Sequence, residues 1–300
     1  MPQDMVFPQI KYEGAGVVVT RFAPSPNGML HVGHAYAALC AHDFVRNQEG
    51  TNGGRFLLRI EDIDGTRSRQ EHIDAVLADL AWLGLTWDGE VIFQSHRIAS
   101  YRGALQRLQE MNLLYRCTCT RGDIAAALKT KPVIHGPDGP QYPGTCRGGE
   151  ARDRPYCWRL DMRAAVERAG MLGWHDLAAG TQMADAGQFG DIILWRKDAP
   201  ASYHLAATLD DAADGVTVVV RGRDLFAYTG IHRLLQALLD LPEPAYWHHD
   251  LLIDESGAKL SKSKASAALA HRRLAGEDGT ALAASLRSDQ LPLGISLSNA

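Results

Sequence analysis

Two imidazoles, two ammonium groups and three thiols stand in this chain at spacings that could do chemistry. His31-Val32-Gly33-His34 follows Pro24, Pro26 and Asn27-Gly28, which forbid regular structure, and opens an apolar periodicity that restores a helix through Phe44. Side chains three residues apart share a helix face. Imidazole hydrogen bonds and the positive N-terminal end of a helix can together stabilise negative charge building on a phosphate. Gly33 removes the side chain that would obstruct an adenine or ribose. Taken alone, the same four residues also suit a surface histidine pair or half of a metal site. Near the other end, Lys259-Leu260-Ser261-Lys262-Ser263 follows the flexible Ser256-Gly257-Ala258. Such a loop can close over a triphosphate and neutralise charge as pyrophosphate leaves, although exposed basic loops are common. No Gly-x-x-x-x-Gly-Lys-Ser/Thr loop occurs, so phosphates are not held that way.

Five cysteines stand at 40, 117, 119, 146 and 157. An odd count with three in a tight cluster argues against a disulfide framework and for a metal site. Three thiolates and one more ligand would make a closed tetrahedral structural zinc site. His135, Cys157 or a water are open candidates for that fourth place. Cys40 lies on an apolar helical face and reads as a small core residue.

The elements that must position these groups form an α/β alternation. Val17–Phe22 reads as a buried strand, followed by the turn and the helix from Val32. Arg55–Ile60 is the next strand and ends in the acidic Glu61-Asp62-Ile63-Asp64. Thr66 is expected to cap a helix running to Leu83, and Ser95 to start another carrying Tyr101, Leu105 and Leu108. From about Leu113 to Gly187 the chain is rich in Gly, Pro, Arg and Cys and reads as an insertion. The alternation returns with a strand at 191–195, a helix near Leu205 to Ala213 and the strong strand Val216–Val220. Thr229 is expected to cap a helix through Leu239. Strand, turn and helix in this order open a nucleotide-binding unit of Rossmann-like type. The expected division is therefore 1–112 and 188–254 as two halves of one catalytic domain, 113–187 as the insertion, and 255–300 as a loop and short helical tail.

Arg21, Glu61 and Arg221 sit at or just beyond the C-terminal ends of these strands, where open parallel sheets bind ligands. A guanidinium matches a carboxylate with a bidentate fork, and an acid suits an ammonium. Each could equally be an ion-pair partner in a polar layer. The formal charge is −4, which excludes a protein that coats nucleic acid through bulk positive charge. A local basic face remains open. No run approaches the ~20 apolar residues of a membrane span, and Met1–Met5 lacks the features of a secretory signal. A cytoplasmic location and no membrane partner are expected.

Arg21-Phe22-Ala23-Pro24-Ser25-Pro26 ahead of His31-Val32-Gly33-His34, with Lys259-Leu260-Ser261-Lys262-Ser263 far downstream, resembles the HIGH and KMSKS motifs of class I aminoacyl-tRNA synthetases, in the glutamate-specific subgroup. Arg59-Ile60-Glu61-Asp62, Tyr203-His204-Leu205-Ala206 and Val220-Arg221-Gly222-Arg223-Asp224 agree in order. The resemblance implies an α/β, Rossmann-like class I catalytic domain with a zinc-containing insertion and a short helical C-terminal part. It implies His31, His34, Lys259 and Lys262 as catalytic residues, with His31, Gly33, His34 and Lys262 on ATP. It implies Arg21, Ala23, Ser25, Glu61, Tyr203 and Arg221 on L-glutamate. Glutamine-specific relatives carry Glu where Ser25 stands. Cys117, Cys119, Tyr142 and Cys146 resemble the family's zinc ligands. Magnesium would accompany ATP as co-substrate.

Full glutamyl-tRNA synthetases continue past the KMSKS loop into an anticodon-binding domain, whereas this chain ends soon after Ser263. That truncation and Cys117-Thr118-Cys119-Thr120-Arg121 resemble the glutamyl-Q tRNA(Asp) synthetases. Their activity implies glutamyl-adenylate formation and transfer of glutamate to queuosine at the wobble position of tRNA(Asp), by a monomer. Two other readings stand beside it: a shortened enzyme charging the 3′ end of tRNA(Glu), and an idle paralogue that binds glutamate or ATP. Intact His31, His34, Lys259 and Lys262 speak against the idle one.

Overall fold

Alternation along the strands decides where the charged groups of this chain end up. The structure, a computed structural model, describes residues 12, 14, 16–47, 54–149, 153–260, 268–288, 291 and 294–298. The first half runs β1 (Val19–Phe22), α1 (Val32–Arg46), β2 (Arg55–Ile60), α2 (Gln70–Trp82), β3 (Ile92–Phe93) and α3 (Ile98–Glu110). Next come β4 (Leu114–Cys117), α4 (Arg121–Leu128), the small hairpin β5 (His135–Gly136) and β6 (Gly139–Pro140), β7 (Cys157–Leu160) and α5 (Met162–Ala169). β8 (Gly173–Asp176), β9 (Gly180–Met183), β10 (Ile193–Trp195), α6 (Tyr203–Ala213), β11 (Val218–Gly222) and α7 (Thr229–Leu239) follow. β12 (Ala245–His249), β13 (Leu252–Asp254), α8 (Leu269–Leu274), α9 (Gly279–Arg287) and β14 (Ile295–Leu297) complete the described chain.

β3, β2 and β1 pair in parallel, as do β11, β12 and β8, with β9 antiparallel on the edge. β1 and β11 lie side by side: Thr217 N donates to Val19 O at 3.0 Å, and Val19 N to Thr217 Oγ1 at 2.9 Å. The two ladders thus meet where the strand order reverses, the place where open α/β sheets bind ligands. Successive side chains alternate between faces. Phe22, Phe56, Leu58, Ile60, Val218 and Val220 join the core beneath α1, while Val19, Leu57 and Val219 pack on the opposite side. Arg21, Arg59 and Arg221 share the parity of that second set; α6 supplies Asp211 to the first two, and Arg221 is held mainly from α7 and β12.

Several local expectations change. Thr66 does not cap α2; its hydroxyl donates to Asp64 Oδ1 at 2.7 Å, and α2 begins after Arg69 without a side-chain cap. The Asp64 carboxylate is the stronger acceptor and organises that turn. Ser95 bonds Asp62 and lies in a 3₁₀ turn, Gln94–Arg97, ahead of α3. Ser202 caps α6. Thr229 is the first residue of α7 rather than its cap, because its hydroxyl accepts from Arg221. β8 and β9, inside the stretch read as wholly insertion, extend the main sheet through Tyr246–Asp176 pairing. The insertion's own antiparallel sheet is β4, β7 and β10. The tail holds a strand as well as helices, since β14 pairs with β13. Among the described residues no helix is long and apolar enough to cross a membrane.

Candidate active site and metal centre

At the junction of β1 and β11, a cleft of about 490 Å³ is lined by Arg21, Ala23, Ser25, His31, Gly33, His34, Glu61, Tyr203, Arg221 and Lys259. Segments remote in sequence therefore share one wall-to-wall space. Lys262 lies outside the described residues. On its near side Lys259 forms an ion pair with Asp224, and Leu260 N donates to Leu252 O at 3.1 Å. On its far side Leu269 N donates to Leu30 O at 2.9 Å, next to His31.

The histidine pair is a helix cap. His31 is the N-cap of α1, its Nδ1 accepting from Gly33 N at 3.1 Å, while His34 Nδ1 accepts from His31 N at 3.1 Å. With both Nδ1 atoms acting as acceptors, a neutral ring carries its proton on Nε2. Gly33 leaves room for the capping ring of His31. A Cβ there would meet His31 Cε1 at 2.9 Å.

The two arginines are held differently. Arg21 forks onto Asp211, Nε to Oδ1 at 2.9 Å and Nη2 to Oδ2 at 3.3 Å, and its Nη1 donates to Val220 O. Arg59, fully buried, bridges Asp211 at 2.6 Å and Asp214 at 2.9 Å. Arg97, Gln94 and Tyr101 complete the network at Asp210 and Asp214. Burial would raise the Asp211 carboxyl, but Arg21 and Arg59 hold it below the usual carboxylate range. Arg221 spends its N–H groups on His248 Nε2 (3.1 Å), Tyr203 OH (3.4 Å), His232 Nδ1 (3.2 Å), Leu225 O (3.2 Å) and Thr229 Oγ1 (2.7 Å). None of these acceptors is a carboxylate. Asp176 stands one step away, taking His248 Nδ1–H at 2.7 Å. Burial pushes His248 and His204 down to about 4 and His232 well below its usual value, so the cradle stays neutral.

Ser25 Oγ donates to Glu61 Oε2 at 3.1 Å, and Glu61 N is tied to Pro24 O at 3.0 Å. Desolvation pushes the Glu61 carboxyl up to about 7, against the lowering pull of Arg59, Ser25 and Arg21. His249, also in the cleft wall, engages Asp250 O through Nδ1 at 2.8 Å. Its buried Nε2 has no partner among the described residues. A ring that donates from Nδ1 leaves Nε2 as an orphan acceptor.

In the insertion, the Sγ atoms of Cys117, Cys119 and Cys146 lie within 4.8 Å of one another. Tyr142 OH is 3.3 Å from Cys117 Sγ and 3.5 Å from Cys119 Sγ, and Cys119 and Cys146 Sγ are 3.5 Å apart. Tetrahedral zinc places sulfurs about 3.8 Å apart and oxygen about 3.5 Å from sulfur. The donor set fits. Cys157 is a thiol donor instead: its Sγ–H donates to Cys117 O at 3.4 Å, and its own thiol is raised beside Cys117 and by burial. His135, exposed on the hairpin, is outside the cluster. Arg159 stacks on the Tyr142 ring at 3.9 Å, and Lys197 Nζ donates to Thr118 O and Cys119 O at 3.0 Å each. Two cations thus flank the three sulfurs.

Sequence reasoning missed Arg59, Asp211, His248, His249 and Asp176. An arginine inside an otherwise apolar strand and two adjacent aspartates within an apolar helix were the available signals.

Residues 17–287 match the family of class I tRNA synthetases for Glu and Gln, catalytic domain. A glutamyl-Q tRNA(Asp) synthetase of Rhodobacter capsulatus is 46% identical over 86% of this chain and 96% of its own length. One from Symbiobacterium thermophilum is 41% identical over 85% and 81%. Among solved structures, a glutamate-tRNA synthetase from Elizabethkingia anophelis superposes with a TM-score of 0.67 at 23% identity, covering 83% of this chain. This chain spans only about half of that protein, 53%, and the likeness speaks to fold. The cleft at the strand-order reversal and these matches agree, and the chain belongs to the class I synthetase catalytic family for glutamate and glutamine, within it to the glutamyl-Q tRNA(Asp) synthetases.

Proposed function

We propose that this chain activates L-glutamate with ATP as glutamyl-adenylate and transfers glutamate to queuosine at the wobble position of tRNA(Asp). The observation that carries the reading is the cleft itself, which combines a helix-end histidine pair, a lysine from the far end of the chain and a buried guanidinium with no direct carboxylate partner among the described residues. Burying an uncompensated cation is costly, so an anionic ligand is its natural complement. In this reading Arg221 and Tyr203 receive the side-chain carboxylate, Arg21 faces the α-carboxylate, and Glu61 with Ser25 and the Ala23 backbone receives the ammonium. His31, Gly33 and His34 at the α1 N-terminus receive the phosphates, with Lys259 and Lys262 closing from the other side. His249 Nε2 accepts from the adenine amine or a ribose hydroxyl.

Chemistry proceeds in two displacements. A glutamate α-carboxylate oxygen attacks the α-phosphorus in line, and the bond to the bridging oxygen breaks as pyrophosphate leaves. A queuosine hydroxyl then attacks the acyl carbon, and AMP departs with the anhydride electrons. The protein contributes positioning and charge stabilisation, with no covalent nucleophile. Magnesium accompanies the triphosphate. Zinc held by Cys117, Cys119, Cys146 and Tyr142 would tie together an insertion whose α4 buries no residue. A cytoplasmic monomer belongs to the same reading. The test compares tRNA(Asp) with and without queuosine as acceptor of labelled glutamate. Acceptance only by the queuosine-containing tRNA is expected; charging that ignores queuosine, or charging of the tRNA(Glu) 3′ end, rejects the assignment.

A further inference from the structure

One surface outside the cleft combines charge with aromatic planes. The register of the insertion sheet sets Arg116 opposite Trp158 and Trp158 opposite Trp195, a single row across β4, β7 and β10. Tyr156 meets Trp158 edge-on at 5.5 Å. The Arg116 guanidinium lies 4.6 Å from the Tyr156 ring and 5.4 Å from Trp158, and Arg102, from α3, lies 5.7 Å from Trp195. Both arginines are exposed and the three rings are half-buried. Tyr115, Cys117 and Arg159 have the opposite parity on these strands, and they face Asp191 and the thiol cluster.

Neither Arg102 nor Arg116 forms an ion pair among the described residues. Arg55, Arg121, Arg163 and Arg168 are likewise exposed and without an ion pair among the described residues, so it is the aromatic contact that sets Arg102 and Arg116 apart. We propose that this row is a stacking surface for the unpaired bases of the RNA acceptor. Guanidinium planes and aromatic rings both stack on bases, and unpaired positive charge suits a phosphate backbone. Each guanidinium lies against a ring, so the exposed plane offered to a base is that of the arginine, backed by the ring. The row also leads to the reaction site. Arg196 directly follows Trp195 and lines a cavity of about 130 Å³ with Ser25, Glu61 and Tyr203, three residues of the main cleft. Loop bases held on the row would leave a neighbouring nucleotide at the cleft.

The proposal rests on the reading that the glutamate acceptor is an RNA. Its test uses the full chain carrying Arg102→Glu and Arg116→Glu together, and separately Arg102→Lys with Arg116→Lys. Glutamate-dependent ATP–pyrophosphate exchange without tRNA should stay within about twofold of wild type, since both residues lie outside the cleft. The KM for tRNA should rise about tenfold or more in the glutamate pair. The lysine pair should fall between, keeping charge but losing the plane, and its salt dependence should match wild type. An unchanged tRNA KM in the glutamate pair overturns the proposal. So does a folded glutamate pair that has lost exchange, because the row would then serve the catalytic core. Absence of exchange in the wild-type protein instead rejects glutamate activation itself, and charging of a different tRNA position leaves the surface assignment intact.

Discussion

Arg21 and Arg221 leave neighbouring strands at the same end of the sheet, each 6% exposed, yet they keep opposite company. Arg21 is forked onto Asp211, which Arg59 also grips. Arg221 meets three neutral side-chain rings, a hydroxyl and a carbonyl. Both have their hydrogen bonds satisfied, but only the first has its charge answered. Satisfying N–H groups and compensating charge are separate requirements in a buried site. The Arg21 corner is a built ionic lattice that fixes geometry, whereas the Arg221 corner keeps a positive potential for a ligand.

The sharpest way to break that contrast is Arg59→Met. It leaves Asp211 and Asp214 buried without their shared cation, and a loss of about 3–5 kcal/mol is expected in urea unfolding. A loss below about 1 kcal/mol would mean the lattice does not hold that corner. Arg221→Met should behave in the reverse manner. Stability should fall by less, about 1–3 kcal/mol, because neutral acceptors but no buried anion are abandoned, while the glutamate KM should rise roughly 100-fold from lost charge-assisted hydrogen bonds. Equal destabilisation by the two substitutions would erase the distinction.

A pH titration sharpens it further. Glu61 is raised to about 7 by burial in the cleft wall, so below that pH it carries a proton that an incoming ammonium must expel. Glutamate affinity should be flat above about 7 and fall up to tenfold per unit below it. Calorimetry in two buffers should detect proton release, and Glu61→Gln should abolish both the release and the slope. The same raised value works against folding: ionised Glu61 is less favourable in the folded cleft, so its contribution to stability declines as pH rises from the unfolded carboxylate range toward 7. The smallest effect belongs to His249→Leu, which removes one neutral acceptor. It should raise the KM for ATP about fivefold with kcat unchanged. An unchanged KM would take His249 out of the nucleotide site.

The sequence was most readable where a local rule and a chemical need coincide. The turn at Pro24–Gly28 and the helix from Val32 lie where periodicity placed them, because proline geometry and apolar spacing act over a few residues. Thr66, Ser95 and Thr229 do not start the helices expected of them, because each hydroxyl found another partner: Asp64 in the same turn, the distant Asp62, and Arg221. The insertion's far boundary was hidden, since composition does not reveal that Gly173–Asp176 pairs with a strand about seventy residues later.

By itself the sequence determined the residue types of the cleft and the thiol cluster and the alternation that sends Arg21, Arg59 and Arg221 to one face. It also carried the HIGH- and KMSKS-like pair that identifies the family. Tertiary structure alone decided which arginine is neutralised, that His31 and His34 cap their own helix, and that the Arg116–Trp158–Trp195 row exists. Those outcomes depend on strand register and on the reach of side chains from α6, α7 and β12, and contacts between distant segments leave no local periodicity to read.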